Sequence, residues 1–192
     1  MRMPTLETER LLIRPLAAND FESVCDLFSA IGWDDAFISA TEQRARRKSW
    51  LDWSIRNEEE LARLHQPPYG DRAVKLREDE SFIGIVGFVP RVEPFAQLPS
   101  FGARNAPPTT AEVGLFWAIT PHAQRRGYAV EAAGALIRFA FEILKLGRIV
   151  VGTDHDNEAS MAVMRKLGMR IETNPFPDPP WFQVCGILER TL

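Results

Sequence analysis

The sequence predicts an α/β fold, a mixed sheet flanked by helices, and three observations carry that prediction. Residues 112–119 form an apolar strand-like run, followed at once by a basic, glycine-containing turn and an alanine-rich helix over 130–146. A second apolar run, 148–153, comes directly after that helix. A crossover of that length makes the two strands parallel neighbours. Residues 72–77 and 82–89 read as an antiparallel hairpin around the turn 78–81.

Arg10-Leu11-Leu12-Ile13-Arg14-Pro15-Leu16 reads as a first strand stopped by proline. Asn19 or Asp20 can cap the next helix, which places Phe21, Val24, Leu27 and Phe28 on an apolar face. Thr41 can cap a helix running to about Leu64, with Trp50, Trp53, Ile55 and Leu61 as its apolar side. Between these helices, residues 32–38 are either a connection packed by its own aromatics or a ligand-facing loop. In the hairpin, the first strand alternates and should have one wet face; the second is apolar throughout and should be more central. Residues 90–110 hold several prolines and no clear period, the mark of a substrate-side flap or a disordered insertion.

Residues 112–119 are apolar on both faces and belong in the middle of the sheet, Glu112 excepted. That carboxylate either pairs with a surface cation or is held for chemistry. In the following helix Glu131, Arg138, Glu142 and Lys145 fall on one narrow stripe, and Gly147 should end it. Asn157 can cap a helix to Leu167 that Gly168 closes. Residues 169–172 and 182–189 read as final strands joined by the stiff, proline-rich stretch 175–181.

A length of 192 residues fits one domain over 1–192, and 45% apolar with 26% charged residues is ordinary for a globular chain. The net charge of −3 argues against a nucleic-acid partner. The local cluster Arg44-Ala45-Arg46-Arg47-Lys48 reads as a solvated helix face. Cys25 and Cys185 lack metal-ligand spacing, so no metal is expected and a reducing cytoplasm is the natural compartment. No apolar run approaches the roughly 20 residues a membrane span needs, and the start carries no signal-peptide core.

The turn Gln124-Arg125-Arg126-Gly127-Tyr128-Ala129 is the chemical centre. A strand leading through such a turn into a helix presents backbone N–H groups and the positive helix end to an anion. Two arginines add fixed charge, which suits a diphosphate. Gly127 could also be only a tight-turn residue and the arginines only surface charge; the central strand before and the buried helix after argue for the cradle. Tyr128 reads as helix packing. His155 follows a strand end and is more simply a loop residue than an acid or base. A nucleotide-binding phosphate loop is disfavoured because no Gly-Lys-Ser/Thr follows the turn.

Three motifs together resemble the GNAT acyltransferase superfamily, and more narrowly its ribosomal-protein N-terminal-amine acetyltransferase group, the RimJ/RimL type. They are Glu112-Val113-Gly114 with Phe116-Trp117; Gln124-Arg125-Arg126-Gly127-Tyr128-Ala129 continued by Glu131-Ala132-Ala133; and Asn157 with Ser160, leading to Lys166-Leu167-Gly168-Met169. Thr8-Glu9-Arg10-Leu11-Leu12-Ile13-Arg14-Pro15 also matches the group's start. The resemblance covers nearly the whole chain and implies a sheet of about seven strands splayed between the fourth and fifth. It implies acetyl-CoA as donor. The pyrophosphate would lie on N–H groups from Arg125 to Ala129, the pantetheine beside Phe116, Trp117, Ala118 and Ile119, and further contacts would come from Asn157 and Ser160. It implies Glu112 as base. The tyrosine that many members use as acid is replaced by Met164, which leaves Ser160 or a water for that role. The expected partner is an amine acceptor, a protein N-terminus or a small amine such as an amino acid, polyamine or antibiotic. A non-catalytic acyl-CoA sensor is the alternative from another class. No membrane partner is expected, and a monomer or homodimer suits the fold.

Overall fold

The computed structural model describes residues 2–190 and arranges eight strands in one mixed sheet. The strands are β1 (Leu6–Glu7), β2 (Leu11–Pro15), β3 (Gly70–Leu76), β4 (Phe82–Glu93), β5 (Thr110–Ile119), β6 (Arg148–Thr153), β7 (Arg170–Thr173) and β8 (Val184–Glu189). The helices are α1 (Phe21–Ala30), α2 (Ala40–Arg63), α3 (Tyr128–Glu142) and α4 (Glu158–Lys166). The spatial order is β1-β2-β3-β4-β5-β6-β8-β7. The α/β class holds. The count is eight rather than about seven because β1 is added, its two residues too few to show alternation; Leu6 pairs opposite Ile13. β5 and β6 run parallel, and among the described residues their pairing is Gly114 opposite Val150.

The chain divides into two compact units. The first takes the chain up to Phe88 together with Phe116–Leu136; the second takes Val89–Leu115 and the chain from Ile137 onward. In the first unit the core gathers Leu16, Val24, Leu27, Phe28, Leu51, Ala73, Ile85 and Ala118, with Trp50 and Phe116 packed against it. Val24, Leu27 and Phe28 recur at helical spacing, so α1 turns one face to that core. Asp20 sits at the N-cap of α1 but caps nothing with its side chain. Its carboxylate accepts two N–H groups from Arg14 and the Ala17 N–H instead. Burial pushes the Asp20 carboxyl up, and these bonds outweigh it, leaving it below its usual value.

Ser39, not Thr41, caps α2: its hydroxyl accepts the Glu42 N–H at 3.2 Å. Ser39-x-x-Glu42 is the spacing of a capping pair. Ser39→Ala is expected to cost about 1 kcal/mol, read as a lowered thermal midpoint with binding unchanged. The basic cluster on α2 is laced with carboxylates, Arg44 to Glu22, Arg46 to Asp35 and Glu42, Lys48 to Asp52. Arg47 departs from a solvated face. It is buried, donates to the Cys25 carbonyl and Ser29 hydroxyl, and pairs with Asp34. In the connection before α2, Trp33 stacks 5.4 Å from Phe28 and 5.6 Å from Phe116, while Phe37 is exposed.

In the second unit, residues 90–110 are not an unstructured insertion. β4 runs on to Glu93, and two short 3-10 turns, Phe95–Gln97 and Pro99–Phe101, follow. Phe95 and Leu98 bury themselves against Val150, Phe182, Cys185 and Ile187. Gln97 donates to the Asp178 carbonyl at 2.7 Å and accepts from Asn174 at 2.8 Å. Prolines hid this segment, because 3-10 turns leave no long period to read. α3 ends at Glu142, five residues before Gly147. Lys145 takes the left-handed conformation there, and the Leu146 N–H turns back to the Ala140 carbonyl.

Candidate functional site

The basic turn is tied down where the chain leaves β5. Thr120 donates its N–H to the Ile83 carbonyl at 2.9 Å, and the Gln124 side chain donates to the Ile119 carbonyl at 2.9 Å. Arg125 has φ of 61° and Gly127 of 85°. A positive φ at Gly127 is one a side chain rarely adopts, which explains the glycine. Alternating conformations of this kind turn successive N–H groups toward one concavity. The Gln124 N–H is bonded to Pro121 O and the Glu131 N–H to Gly127 O. Between them, among the described residues, the N–H groups of residues 125–130 have no hydrogen-bond acceptor. Arg125, Arg126 and Gly127 are exposed, and no carboxylate pairs with either arginine among the described residues. Tyr128 is buried, with the Arg10 guanidinium 4.6 Å above its ring.

A clamp lies behind the turn. Glu131 accepts from the Thr8 hydroxyl at 2.6 Å, the Arg10 N–H at 2.9 Å and Arg10 Nε at 2.7 Å. Arg10 also donates to the Arg126 carbonyl at 3.0 Å. The opening Thr8-Glu9-Arg10 stretch therefore holds the turn's backbone in place. The sequence marked both ends of this clamp as motif residues but could not join positions some 120 apart in the chain. Burial pushes the Glu131 carboxyl up, and its bonds to Thr8 and Arg10 outweigh that and lower it. Its stabilising contribution is therefore present above its ordinary value, about 4.3, and lost as pH falls through the lowered one. Glu131→Gln is expected to cost about 2 kcal/mol at pH 7, below the buried-pair range because Arg10 stays 43% exposed. The gap in thermal midpoint between wild type and variant should narrow as pH falls below about 4.3 and close once Glu131 is protonated in the folded state.

Phe116, Trp117, Ala118 and Ile119 form the end of β5 in the same unit as the turn. Phe116 and Trp117 are half-buried, and Ala118 and Ile119 are buried. Ala129 is half-buried on the first turn of α3.

The remaining candidates belong to the second unit. Glu112 is nearly buried and forms a two-pronged pair with Arg148, Nε donating at 3.1 Å and a second guanidinium nitrogen closer still. Arg148 lies 4.5 Å above the Phe101 ring. Asn157 caps α4, accepting the Ser160 N–H at 3.0 Å, and is exposed; Ser160 is half-buried. Met164 is fully buried, and a Cβ added to Gly186 would come within 2.8 Å of its sulfur. His155 is exposed in a loop, its N–H bonded to Gln183. Cys25 and Cys185 are free and buried. No group of three or more His, Cys, Asp or Glu side chains among the described residues could hold a metal ion. No helix among them is long and apolar enough to cross a membrane.

The family model described as acetyltransferase (GNAT) domain matches residues 10–170. The chain belongs to the GNAT acetyltransferase family. The uncharacterized N-acetyltransferase YnaD of Bacillus subtilis (strain 168) is 29% identical over 171 residues, 87% of this chain and 83% of that one. The acetyltransferase from Agrobacterium tumefaciens str. C58 superposes with a TM-score of 0.69 at 24% identity, covering 99% of this chain and 96% of that chain. The ribosomal-protein-S5-alanine acetyltransferase from Vibrio fischeri superposes with a TM-score of 0.63 at 15% identity, covering 97% and 95%. Those two likenesses concern the fold. As a GNAT member the chain is an acyltransferase, of a family that uses acetyl-CoA.

Proposed function

We propose that this GNAT enzyme works as a single catalytic domain and moves acetyl from acetyl-CoA directly to a primary amine, with a protein N-terminal amine as acceptor. The observation that carries the donor half is the run of N–H groups over 125–130 that have no acceptor among the described residues, beside two exposed arginines that no carboxylate pairs with among them. That chemistry suits a pyrophosphate. Gln124, Arg125, Arg126, Gly127, Tyr128 and Ala129 would hold it, and the end of β5 from Phe116 to Ile119 would take the pantetheine amides as an added strand. Asn157 and Ser160 would complete the donor contacts. The acceptor half rests on the opening stretch 8–15 and on the group resemblance.

In this reading the amine nitrogen attacks the thioester carbonyl carbon, the C–S bond breaks and the thiolate leaves. Glu112 takes up the nitrogen's surplus proton. Ser160 or a water supplies one to the thiolate, which leaves readily because thiol pKa values lie near ~8.5. Two buried free cysteines accord with a cytoplasmic enzyme. Calorimetry with acetyl-CoA, then thiol release against peptides with free N-termini and a panel of small amines, tests it. Release with small amines but not peptides would sink the N-terminal acceptor. Binding without any amine-dependent release would make the chain a sensor.

A further inference from the structure

Arg91, on the part of β4 that belongs to the second unit, carries a guanidinium whose donors are mostly unfilled. Its one ion pair among the described residues is with Glu93 Oε1, 3.1 Å from Nη2. Its Nε is buried without a hydrogen-bond partner. Other well-covered arginines differ. Arg14 reaches Asp20 through two nitrogens, and Arg148 reaches Glu112 in the same way. Arg47 donates to the Cys25 carbonyl, the Ser29 hydroxyl and Asp34. A guanidinium holds five N–H donors in a planar fork and accepts nothing. The Arg91 side chain is 26% exposed. With Nε covered, that exposure belongs to the rest of the side chain.

The side chain lies across two strands. A Cβ on Gly114 of β5 would collide with Arg91 Cγ, and a Cβ on Gly152 of β6 would lie 2.8 Å from Cζ and 3.1 Å from Nη1. Glycine weakens a strand interior and marks a close approach; here the approach is that of Arg91 to bare backbone. Gly114 pairs with Val150, and side chains two apart share a face. Glu112, Gly114, Arg148, Val150 and Gly152 therefore present one face, and Arg91 runs over it. The guanidinium ends at Gly152, which is only half-buried, and residues 154–159 just beyond it are exposed. That end is open to solvent. The wall behind it is fastened. The other Glu93 oxygen accepts Trp181 Nε1–H at 3.2 Å, and Gln97 is bonded to both Asp178 and Asn174. The Ser100 N–H donates to Glu172 at 3.0 Å. A fork held this way loses little freedom when a ligand meets it.

We propose that Arg91 holds a carboxylate of the acceptor, so that the enzyme selects amines that also carry one. In a protein acceptor this is an acidic side chain at the first or second residue. The planar fork matches a carboxylate, and a single guanidinium already facing Glu93 suits a monoanion. The proposal rests on the acetyl-transfer reading for the amine's role, but it is measured as binding. Calorimetry of the full chain with bound CoA compares tripeptide amides that have Asp at the first or second residue with their Asn counterparts. A further arm compares glycine with glycinamide. The wild type is expected to bind the carboxylate member of a pair at least about 10-fold more tightly. A preference in the glycine pair alone would make the source a free amino acid and sink the N-terminal acceptor. Arg91→Gln combined with Glu93→Gln leaves no buried charge stranded. It should erase the preference and keep CoA affinity within about twofold. Equal binding within every wild-type pair overturns the proposal, as does a preference that survives in the double variant. If the double variant also loses CoA, Arg91→Lys decides, since it keeps the charge and the Glu93 partner but lacks the fork. A wild-type preference in Arg91→Lys overturns the proposal; a weakened one with CoA bound supports it. A wild type that does not bind CoA sinks the donor reading instead, and the pairs are then judged on the CoA-free protein.

Discussion

The Glu112→Gln enzyme is expected to turn over roughly 10²–10⁴-fold more slowly at saturating amine, with CoA affinity little changed and the pH profile displaced. That range is what a positioned proton acceptor contributes. Glutamine has the same size but cannot take a proton. The pairing with Arg148 sharpens the test, because both Glu112 oxygens already receive a guanidinium N–H. Accepting a proton requires one of those bonds to give way. A purely structural Glu112 would show a different pattern: Gln would break the two-pronged pair, lower the thermal midpoint and leave turnover within about twofold. Arg148→Met separates the two. It removes the pair but keeps the carboxylate, so turnover should survive if Glu112 is the base. It should fall as far as in Glu112→Gln if the pair itself is what matters. Both residues lie in the same unit, which keeps the comparison local.

Replacing Arg125 and Arg126 together by Ala should weaken CoA binding roughly 30- to 700-fold. Each charge-assisted contact to phosphate is worth about 1–2 kcal/mol at an exposed site, and about 1.4 kcal/mol is tenfold in affinity. The thermal midpoint should hold, since both side chains are exposed and unpaired among the described residues. The Gln124 bond to Ile119 and the Arg10 bond to the Arg126 carbonyl keep the turn in shape. Salt gives a second readout. Exposed charges are screened beyond about 8 Å at physiological ionic strength, so the affinity gap between wild type and variant should narrow at high salt. Calorimetry with CoA at two salt concentrations measures both. Equal affinity in wild type and double variant would show that the arginines do not touch the phosphates.

Much of the fold was legible because period and punctuation are local. The parallel pair around the crossover, the hairpin and the cap at Asn157 follow from short stretches of chain. Ser39 is also legible, since Ser39-x-x-Glu42 has the capping spacing, whereas Arg44 stands three positions after Thr41. Residues 90–110 were not legible. Phe95 and Leu98 are buried by β6 and β8, strands that come much later in the chain. The site divided in the same way. The proposed donor motif is contiguous, so the sequence alone offers it as a candidate. The clamp of Thr8, Arg10 and Glu131 joins residues far apart in sequence.

By itself the sequence determined that a strand, a basic glycine-containing turn and a helix follow one another, the arrangement on which the proposed anion cradle rests. Each step of that is set by neighbouring residues and their φ preferences. Only the tertiary structure decided which charges stay free to act. Arg148 occupies Glu112, Arg10 is bound to Glu131, and Asp71 Oδ1 is buried with no hydrogen-bond partner among the described residues. Which cation meets which carboxylate depends on sheet register and burial, and a single sequence does not state either.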